Sequence, residues 1–315
     1  LFSEIIGQSE IKSRLIRSVE GQRISHAQLF FGPEGSGALS LAVAYAQYIS
    51  CKNKTEKDSC GECPSCVKFS HLAHPDLHFI FPITSTKENE NSNEHMGDFR
   101  EAFLENPYMN LFEWLQFMGA ENKQGLISVH ESANILRKLS LTTYESEFKT
   151  VIIWMPEKMN IAAANKLLKI LEEPTDKTLF LLVTESEGQL LRTIVSRTQL
   201  IKIKKITDAD LKQALIERHS LPEQEASKIS YIAEGNYNEA LKFLSSDTEE
   251  KWNNYTQFVN WMRLCFKKDF KEIVKWVDEV SKTGRERQKF FLGFGLRVFR
   301  ECLQLNYGND TLVRV

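Results

Sequence analysis

Short apolar runs alternate with longer helical patterns along residues 1–205. The apolar runs, which predict β-strands, are at 28–31, 77–81, 149–154, 178–183 and 199–202. The longer stretches, which predict helices, are at 4–23, 38–50, 128–139, 160–172 and 187–195. Strands that alternate with helices in this way are typical of a parallel sheet with helices on both faces. We therefore predict an α/β fold.

One stretch interrupts this alternation. Residues 83–125 are rich in Asn, Glu and Lys, with scattered aromatic residues and no clear periodicity. Pro82 stops the strand that precedes them. This composition predicts an insertion into the α/β domain, which we expect to be partly helical at 99–117.

The pattern changes at Thr207, beyond which it is almost wholly helical. A small helical bundle is followed by a more aromatic helical segment at 250–306. A chain of 315 residues is long enough for two or three separate cores. We predict a core domain at 1–205, a small helical domain at 206–245 and an all-α domain at 246–315.

Composition limits the class of protein. Hydrophobic residues make up 42% of the chain and charged residues 26%, as in globular proteins. A net charge of −2 provides no basic field that would attract nucleic acid, so any DNA contact must be local or come from partners. No apolar run approaches the ~18 residues of a membrane-spanning helix. We therefore expect no membrane partner and a cytoplasmic location.

Four of the six cysteines fall within 51–66. Cys51, Cys60, Cys63 and Cys66 have the spacing C-x8-C-x2-C-x2-C, in which C-x2-C turns let two thiolates face one zinc ion. Four protein ligands leave no open coordination position, so the ion would be structural. Two other interpretations stay open. One is four reduced thiols without metal, and the other is a DNA-reading zinc finger, which needs His ligands and basic helix positions.

The residues after the first strand have the glycine spacing of a phosphate-binding loop without its catalytic side chains. In the ATP-hydrolysing pattern G-x-x-x-x-G-K-[ST], Lys contacts the β- and γ-phosphates and the hydroxyl holds Mg²⁺. Gly32, Gly35 and Gly37 are present here, but Ala38 and Leu39 stand where Lys and Ser or Thr are needed. We therefore expect a degenerate loop that supports no ATP hydrolysis.

The acidic residues of a second strand are missing too. In nucleotide-hydrolysing proteins of this kind, carboxylates near that strand end hold magnesium, and a further residue positions the attacking water. Here the strand at 149–154 ends in Met155 and Pro156, and Glu157 comes one position late. Glu157 is a weak substitute, and its other interpretation is an exposed residue at a helix start.

Three stretches of the chain resemble AAA+ clamp-loader subunits. Ala164–Pro174 is similar to the A-N-A-L-L-K-x-L-E-E-P stretch of that family, Thr178–Thr184 to its following sensor strand, and Ile194–Thr198 to its S-R-C element. The four-cysteine module, inserted after the phosphate-loop helix, narrows the resemblance to the bacterial clamp loaders. The resemblance implies an AAA+ P-loop-type core with an inserted zinc module, a helical lid domain and an all-α collar domain. The collar is shorter here than in the family, so we expect it to be truncated.

The resemblance also implies roles for single residues. Arg197, with Ser196 beside it, matches the S-R-C element and would be an arginine finger that reaches the ATP of a neighbouring subunit, where a guanidinium offsets developing charge. Gly235–Leu241 is similar to the G-S-x-R-x-A-L lid helix, but Asn238 stands in place of the sensor arginine. The in-cis ATPase residues are therefore lost in three places, whereas the in-trans residue is kept.

Together these matches imply a non-catalytic stator subunit of the clamp loader that serves bacterial DNA polymerase III in DNA replication. Its partners would be ATPase subunits of the gamma/tau type and the delta subunit and, through the complex, the sliding clamp and primer-template DNA. Structural zinc is the expected cofactor, and ATP hydrolysis is not expected. The alternative is an ATP-hydrolysing motor subunit of the same machine or a related AAA+ ATPase.

Overall fold

The computed structural model describes residues 1–84, 91–120, 123–131, 143–245, 248–283 and 285–307. The chain forms two compact units. The first contains Leu1–Ser230 and Glu234–Asn238, and the second contains Tyr231–Ala233 and Glu239–Val315. The domain boundaries expected at 205 and 245 stay predictions.

A five-stranded parallel sheet forms the centre of the first unit. Its strands are β1 (Ala27–Phe31), β2 (Leu77–Ile80), β3 (Lys149–Trp154), β4 (Thr178–Thr184) and β5 (Gln199–Lys202). They lie in the order β2-β3-β4-β1-β5, and all neighbouring strands are parallel. The predicted α/β fold and its five predicted strands are confirmed.

Helices pack on both faces of this sheet. The described α-helices from Leu1 to Ala233, not all of which lie on the sheet, are α1 (Ser9–Glu20), α2 (Ala38–Ser50), α3 (Pro64–Ser70), α4 (Met96–Glu105), α5 (Leu111–Phe117), α6 (Ile161–Glu172), α7 (Arg192–Val195), α8 (Asp208–His219) and α9 (Glu223–Ala233), whose last three residues belong to the second unit. Alternate side chains of β3 enter two different cores, as the period of a strand requires. Ile152 lies in the core that includes α1 and α2, and Ile153 lies in the core that includes α6.

Most helices lie where the sequence pattern predicts them, with two exceptions. The helix predicted at 187–195 is divided, because a short 3-10 helix covers Glu187–Gln189 and α7 begins at Arg192. Between them Leu190 is buried in the core beside α6, and Leu191 has an extended backbone that ends the helical path. The helix predicted at 128–139 lies largely outside the described residues.

The insertion is partly helical, as predicted, and it contributes to the core. Phe99 of α4 is fully buried and stacks on Phe81 with ring centroids 4.0 Å apart. Trp114 of α5 is also fully buried, and its indole N–H donates to the carbonyl of Pro82 at 2.7 Å. Burial of the apolar indole stabilises the fold, and because its N–H has an acceptor, no buried donor is left unsatisfied. The described part of the insertion is therefore an integral layer of the first unit.

The second unit is helical. Its helices are α10 (Tyr237–Ser245, whose first two residues belong to the first unit), α11 (Thr248–Lys267), α12 (Phe270–Ser281) and α13 (Arg285–Asn306). Trp261 and Trp276 stack with ring centroids 5.2 Å apart, and Phe291 packs against both rings. The indole N–H of Trp276 donates to Gln257 at 3.0 Å. Aromatic residues of three helices thus build one small core.

Among the described residues, no helix combines the length and the apolar character needed to span a membrane.

Candidate functional site

The four cysteines of 51–66 converge as their spacing predicts. The Sγ atoms of Cys51, Cys60, Cys63 and Cys66 all lie within 4.8 Å of one another. Cys63 caps α3, whose first position is Pro64, and this turn directs the two C-x2-C pairs towards one point. Backbone N–H groups already point at sulfur, since the amide of Cys60 donates to Cys51 Sγ and the amide of Cys63 donates to Cys60 Sγ, both at 3.3 Å.

The surroundings of this cluster fit a zinc ion. Burial alone would raise the pKa of Cys63, but the amides of Cys66 and Lys52 and the neighbouring thiols lower it to about 6. The hydroxyls of Ser59 and Ser65 are buried beside the cysteines and have no hydrogen-bond partner among the described residues. Hydroxyl and amide donors next to sulfur stabilise thiolates, which are the form that binds zinc. The donor set and its environment therefore suit a closed, four-sulfur structural site.

Two buried polar residues, His74 and Asp76, lie between the four-cysteine module and β2 of the sheet. Their burial was not predicted from the sequence. Asp76 accepts backbone N–H groups of Tyr144, Glu145 and Ser146 at 2.7–2.8 Å, and these amides hold its pKa low although burial opposes them. His74 is 3% exposed, accepts the Asp76 amide at Nδ1 and packs in a tilted arrangement against the ring of Phe69 in α3. In the sequence, only the apolar residues on either side of His74 indicate that it is buried. His74 is a structural residue outside the four-sulfur set.

The glycine loop has the backbone of a phosphate loop. Gly35 and Gly37 have φ values of +68° and +82°, the left-handed region that favours glycine. The amide of Gly32 donates to Thr184 at the end of β4, which anchors the loop to the sheet. The loop leads directly into α2, which begins at Ala38. The context predicted from the sequence is therefore present in full.

The chain's own side chains fill the space over this loop. The ring of Tyr108, from the insertion, lies so close that a Cβ on Gly37 would be 2.7 Å from its Cε1 atom. A Cβ on Gly35 would overlap the Asn236 side chain. The space left beside the loop is about 20 Å³, enough for about one water molecule. No room for a triphosphate remains in this conformation.

Several carboxyl groups lie next to the loop, with the cation of Lys158 nearby. Burial, together with the nearby charges of Glu34 and Glu157, raises the pKa of Glu185 to about 8. Burial also raises the pKa of Glu157, which accepts the Thr184 hydroxyl at 2.8 Å. Met155, at the position where an acidic residue is needed, is buried in the core. Phosphate groups would therefore meet carboxyl groups, which offer no positive charge to offset their own.

Arg197 lies in the turn that follows α7. Its Nη1 donates to the carbonyl of Thr193 at 3.0 Å, and its Nη2 is 2.6 Å from a carboxylate oxygen of Glu172. The Ser196 hydroxyl donates to the same Thr193 carbonyl at 3.1 Å, so it supports the turn from within. Both predicted residues are exposed.

Asn238 is the last residue of the first unit, but it lies close to the glycine loop. It is 1% exposed, and its Nδ2 donates to the carbonyl of Tyr108 at 2.5 Å. Its Oδ1 accepts Nδ2 of Asn106 at 3.0 Å. The sequence indicated that the sensor arginine is replaced, but it carried no signal that the replacement contacts the insertion.

Comparisons with known proteins agree on one family. The profile of the family described as "DNA polymerase III, delta subunit" matches residues 7–207. The DNA polymerase III subunit delta' of Bacillus subtilis is 25% identical over 305 residues, which are 96% of this chain and 79% of that protein. The subunit tau of the same organism is 25% identical over 248 residues, 77% of this chain and 37% of that protein. Among solved structures, a RuvB Holliday junction branch migration motor of Thermotoga maritima has 15% identity and a TM-score of 0.43, with 99% of this chain and 87% of that chain covered.

Proposed function

The chain belongs to the DNA polymerase III delta subunit family of clamp-loader subunits, and we propose that it is a non-catalytic stator that supplies Arg197 to a neighbour's ATP site. The observation that carries this proposal is the filled phosphate loop. Tyr108 and Asn236 occupy the space above Gly37 and Gly35. A subunit built in this way keeps the frame of a motor but can contribute only to chemistry in another subunit.

Three separate features argue against ATP hydrolysis by the chain itself. Ala38 and Leu39 provide no group to neutralise a triphosphate or to hold magnesium. The carboxyl groups of Glu34 and Glu185 lie beside the loop and supply no positive charge to a triphosphate. Restoring one lysine would leave the other two obstacles in place, namely the carboxyl groups beside the loop and the occupied space above it.

Arg197 is suited to act in a neighbouring site. It is exposed at the end of a short helix, and its two contacts use two of the five N–H donors of the guanidinium. A guanidinium that is already oriented loses less side-chain entropy when it meets a phosphate, and its charge offsets the charge that develops during transfer. Ser196 supports the turn that presents it.

The assembly that we propose follows from the family. A subunit of this kind would lie beside an ATPase subunit of the gamma/tau type and near a delta subunit, and would reach the sliding clamp and primer-template DNA only through the complex. Relatives described as tau and gamma subunits match this chain over 77% of its length. Their shared core suggests that neighbouring subunits pack in a similar way around the ring.

We also assign a structural zinc ion to Cys51, Cys60, Cys63 and Cys66. Zinc would stabilise the module by binding four thiolates at once, and it supplies no catalytic chemistry in a site without an open position. The buried hydroxyls of Ser59 and Ser65 support the assignment because they can donate to thiolates.

The test is the ATPase rate of a clamp loader reconstituted with the gamma/tau-type and delta subunits of the same organism. Arg197→Ala should lower the rate at the adjoining site by at least about tenfold, since an arginine finger contributes this much or more. Arg192→Ala is the matched control, because Arg192 is an exposed arginine five residues earlier. Its rate should equal that of the wild type.

Two results would contradict the proposal. An unchanged rate with Arg197→Ala in an assembled loader would remove the finger assignment. ATP turnover by the isolated chain that disappears in Glu157→Gln would favour the alternative, an ATP-hydrolysing motor subunit.

A further inference from the structure

The insertion places one short segment against the phosphate loop. The Tyr108 ring lies over Gly37, and its hydroxyl accepts the backbone N–H of Ile6 at 2.8 Å. The hydroxyl of Ser40, in the first turn of α2, donates to the carbonyl of Pro107. Tyr108 is 5% exposed. The segment is therefore fixed to the loop, to the helix that follows it and to the N-terminal residues.

The same segment contacts the residues that lead into α10. The ring of Tyr237 meets the ring of Tyr108 edge-on with centroids 4.8 Å apart. The Tyr237 amide donates to the carbonyl of Gly35 at 3.2 Å. Asn238 donates to the Tyr108 carbonyl and accepts from Asn106. Segment 106–110 thus bonds to the loop, where Asn110 donates to Glu34 at 2.8 Å, and to Asn238, while Tyr237 also bonds to the loop directly.

We propose that residues 106–110 are a tethered occupant of the degenerate phosphate loop, that is, a segment of the same chain that fills the space of a ligand. This segment holds residues 236–238 against the loop permanently. Asn238 stands at the position of the sensor arginine, and its amide contacts the backbone of the occupant. The segment thus takes the place of a nucleotide in contacting both the loop and the start of α10. This inference assigns a role to the insertion, deepens the proposed function and rests on its non-catalytic part.

A tethered occupant differs physically from a nucleotide. A free ligand shifts a conformational equilibrium according to its concentration and its preference for one state. A segment of the same chain has a constant effective concentration and cannot be hydrolysed or released. Residues 236–238 should therefore keep one position relative to the loop, whatever nucleotide the neighbouring subunits hold.

Hydrogen exchange at single amides of the full chain, measured by NMR, tests the proposal. Tyr108→Phe removes only the hydroxyl, so the Ile6 amide should exchange at least about tenfold faster while the Tyr237 amide keeps its rate. Asn238→Ala should accelerate the Tyr237 amide by at least about tenfold and leave amides of β3 unchanged. Tyr144→Ala is the control, because Tyr144 is 81% exposed, and its rates should match the wild type.

Two results would overturn the proposal. In the first, Tyr108→Phe and Asn238→Ala both keep wild-type exchange at Ile6 and Tyr237, so the contacts do not hold the segments together. In the second, Mg²⁺–ATP binds the wild-type chain and accelerates exchange at 106–110, so the occupant is displaceable. The first result leaves the arginine finger and the lack of ATPase activity untouched. The second would also remove the non-catalytic part of the proposed function.

Discussion

The Nη2 atom of Arg197 lies 2.6 Å from the Oε1 atom of Glu172, the last residue of α6. This ion pair joins two of the three stretches whose sequences resemble the clamp-loader motifs. The two side chains are 36% and 47% exposed, so water and salt screen their attraction. Exposed pairs of this kind contribute about 0–1 kcal/mol. Arg197 can therefore exchange the carboxylate for another anion at little free-energy cost.

The first prediction concerns this ion pair. Glu172→Gln should change the free energy of unfolding by less than about 1 kcal/mol, because only a screened interaction is lost. Urea denaturation at low and at high salt measures it, and the small difference should shrink further at high salt. Glu10→Gln is the control, since it removes the more exposed pair between Glu10 and Lys204 at 3.0 Å. A loss above about 2 kcal/mol for Glu172→Gln alone would mean that the pair is structural.

The second prediction concerns the insertion as part of the core. Phe99 is fully buried among aromatic rings, so Phe99→Ala should lower the free energy of unfolding by about 3–5 kcal/mol. Leu104→Ala in the same helix is the control, because Leu104 is 47% exposed, and it should cost less than about 1 kcal/mol. Equal and small losses in the two variants would indicate that the insertion is a loosely attached appendage.

The sequence predicted the sheet well, for a physical reason. Strands such as β3 are buried on both faces, so they appear as uninterrupted apolar runs that local pattern reveals. The four cysteines were equally predictable, because their spacing is local and turns of the C-x2-C kind bring their sulfurs together.

The occupied loop could not be predicted in the same way. The loop is occupied because Tyr108 contacts Gly37 and Asn238 contacts Asn106. The residues of the first contact are 71 positions apart, and those of the second are 132 positions apart. Nothing in the local pattern of the insertion distinguishes Tyr108 from other scattered aromatic residues. The burial of His74 could not be predicted for the same reason, because its partner Asp76 is held by backbone amides about 70 positions further along the chain.

The third prediction concerns the metal. Protein prepared without chelators should contain about one zinc ion per chain, and removing it should lower the melting temperature, because binding to four thiolates contributes directly to folding. Cys63→Ser should lower both the zinc content and the melting temperature. Cys265→Ser should change neither, since Cys265 is exposed and outside the cluster. A full zinc content in Cys63→Ser would contradict the assigned ligand set.

The fourth prediction concerns Glu185 and pH. Burial first, and then the charges of Glu34 and Glu157, raise its pKa from 4.5 to about 8 in the folded chain. The folded state therefore keeps a proton that the unfolded state loses above pH 4.5, so stability falls as pH rises from about 4.5 to about 8 and then levels off. Below pH 4.5 both states are protonated, and the contribution of this group is complete.

Glu185→Gln should remove this decline, because the amide stays neutral at every pH in that window. The urea midpoint of the variant should exceed that of the wild type by an amount that grows as pH rises from about 5 to about 8. Glu101→Gln, at an exposed position of α4, should follow the wild-type curve. Parallel curves for Glu185→Gln and the wild type would show that Glu185 is ionised in the folded chain. The carboxylates beside the loop would then be more strongly solvated than their burial indicates.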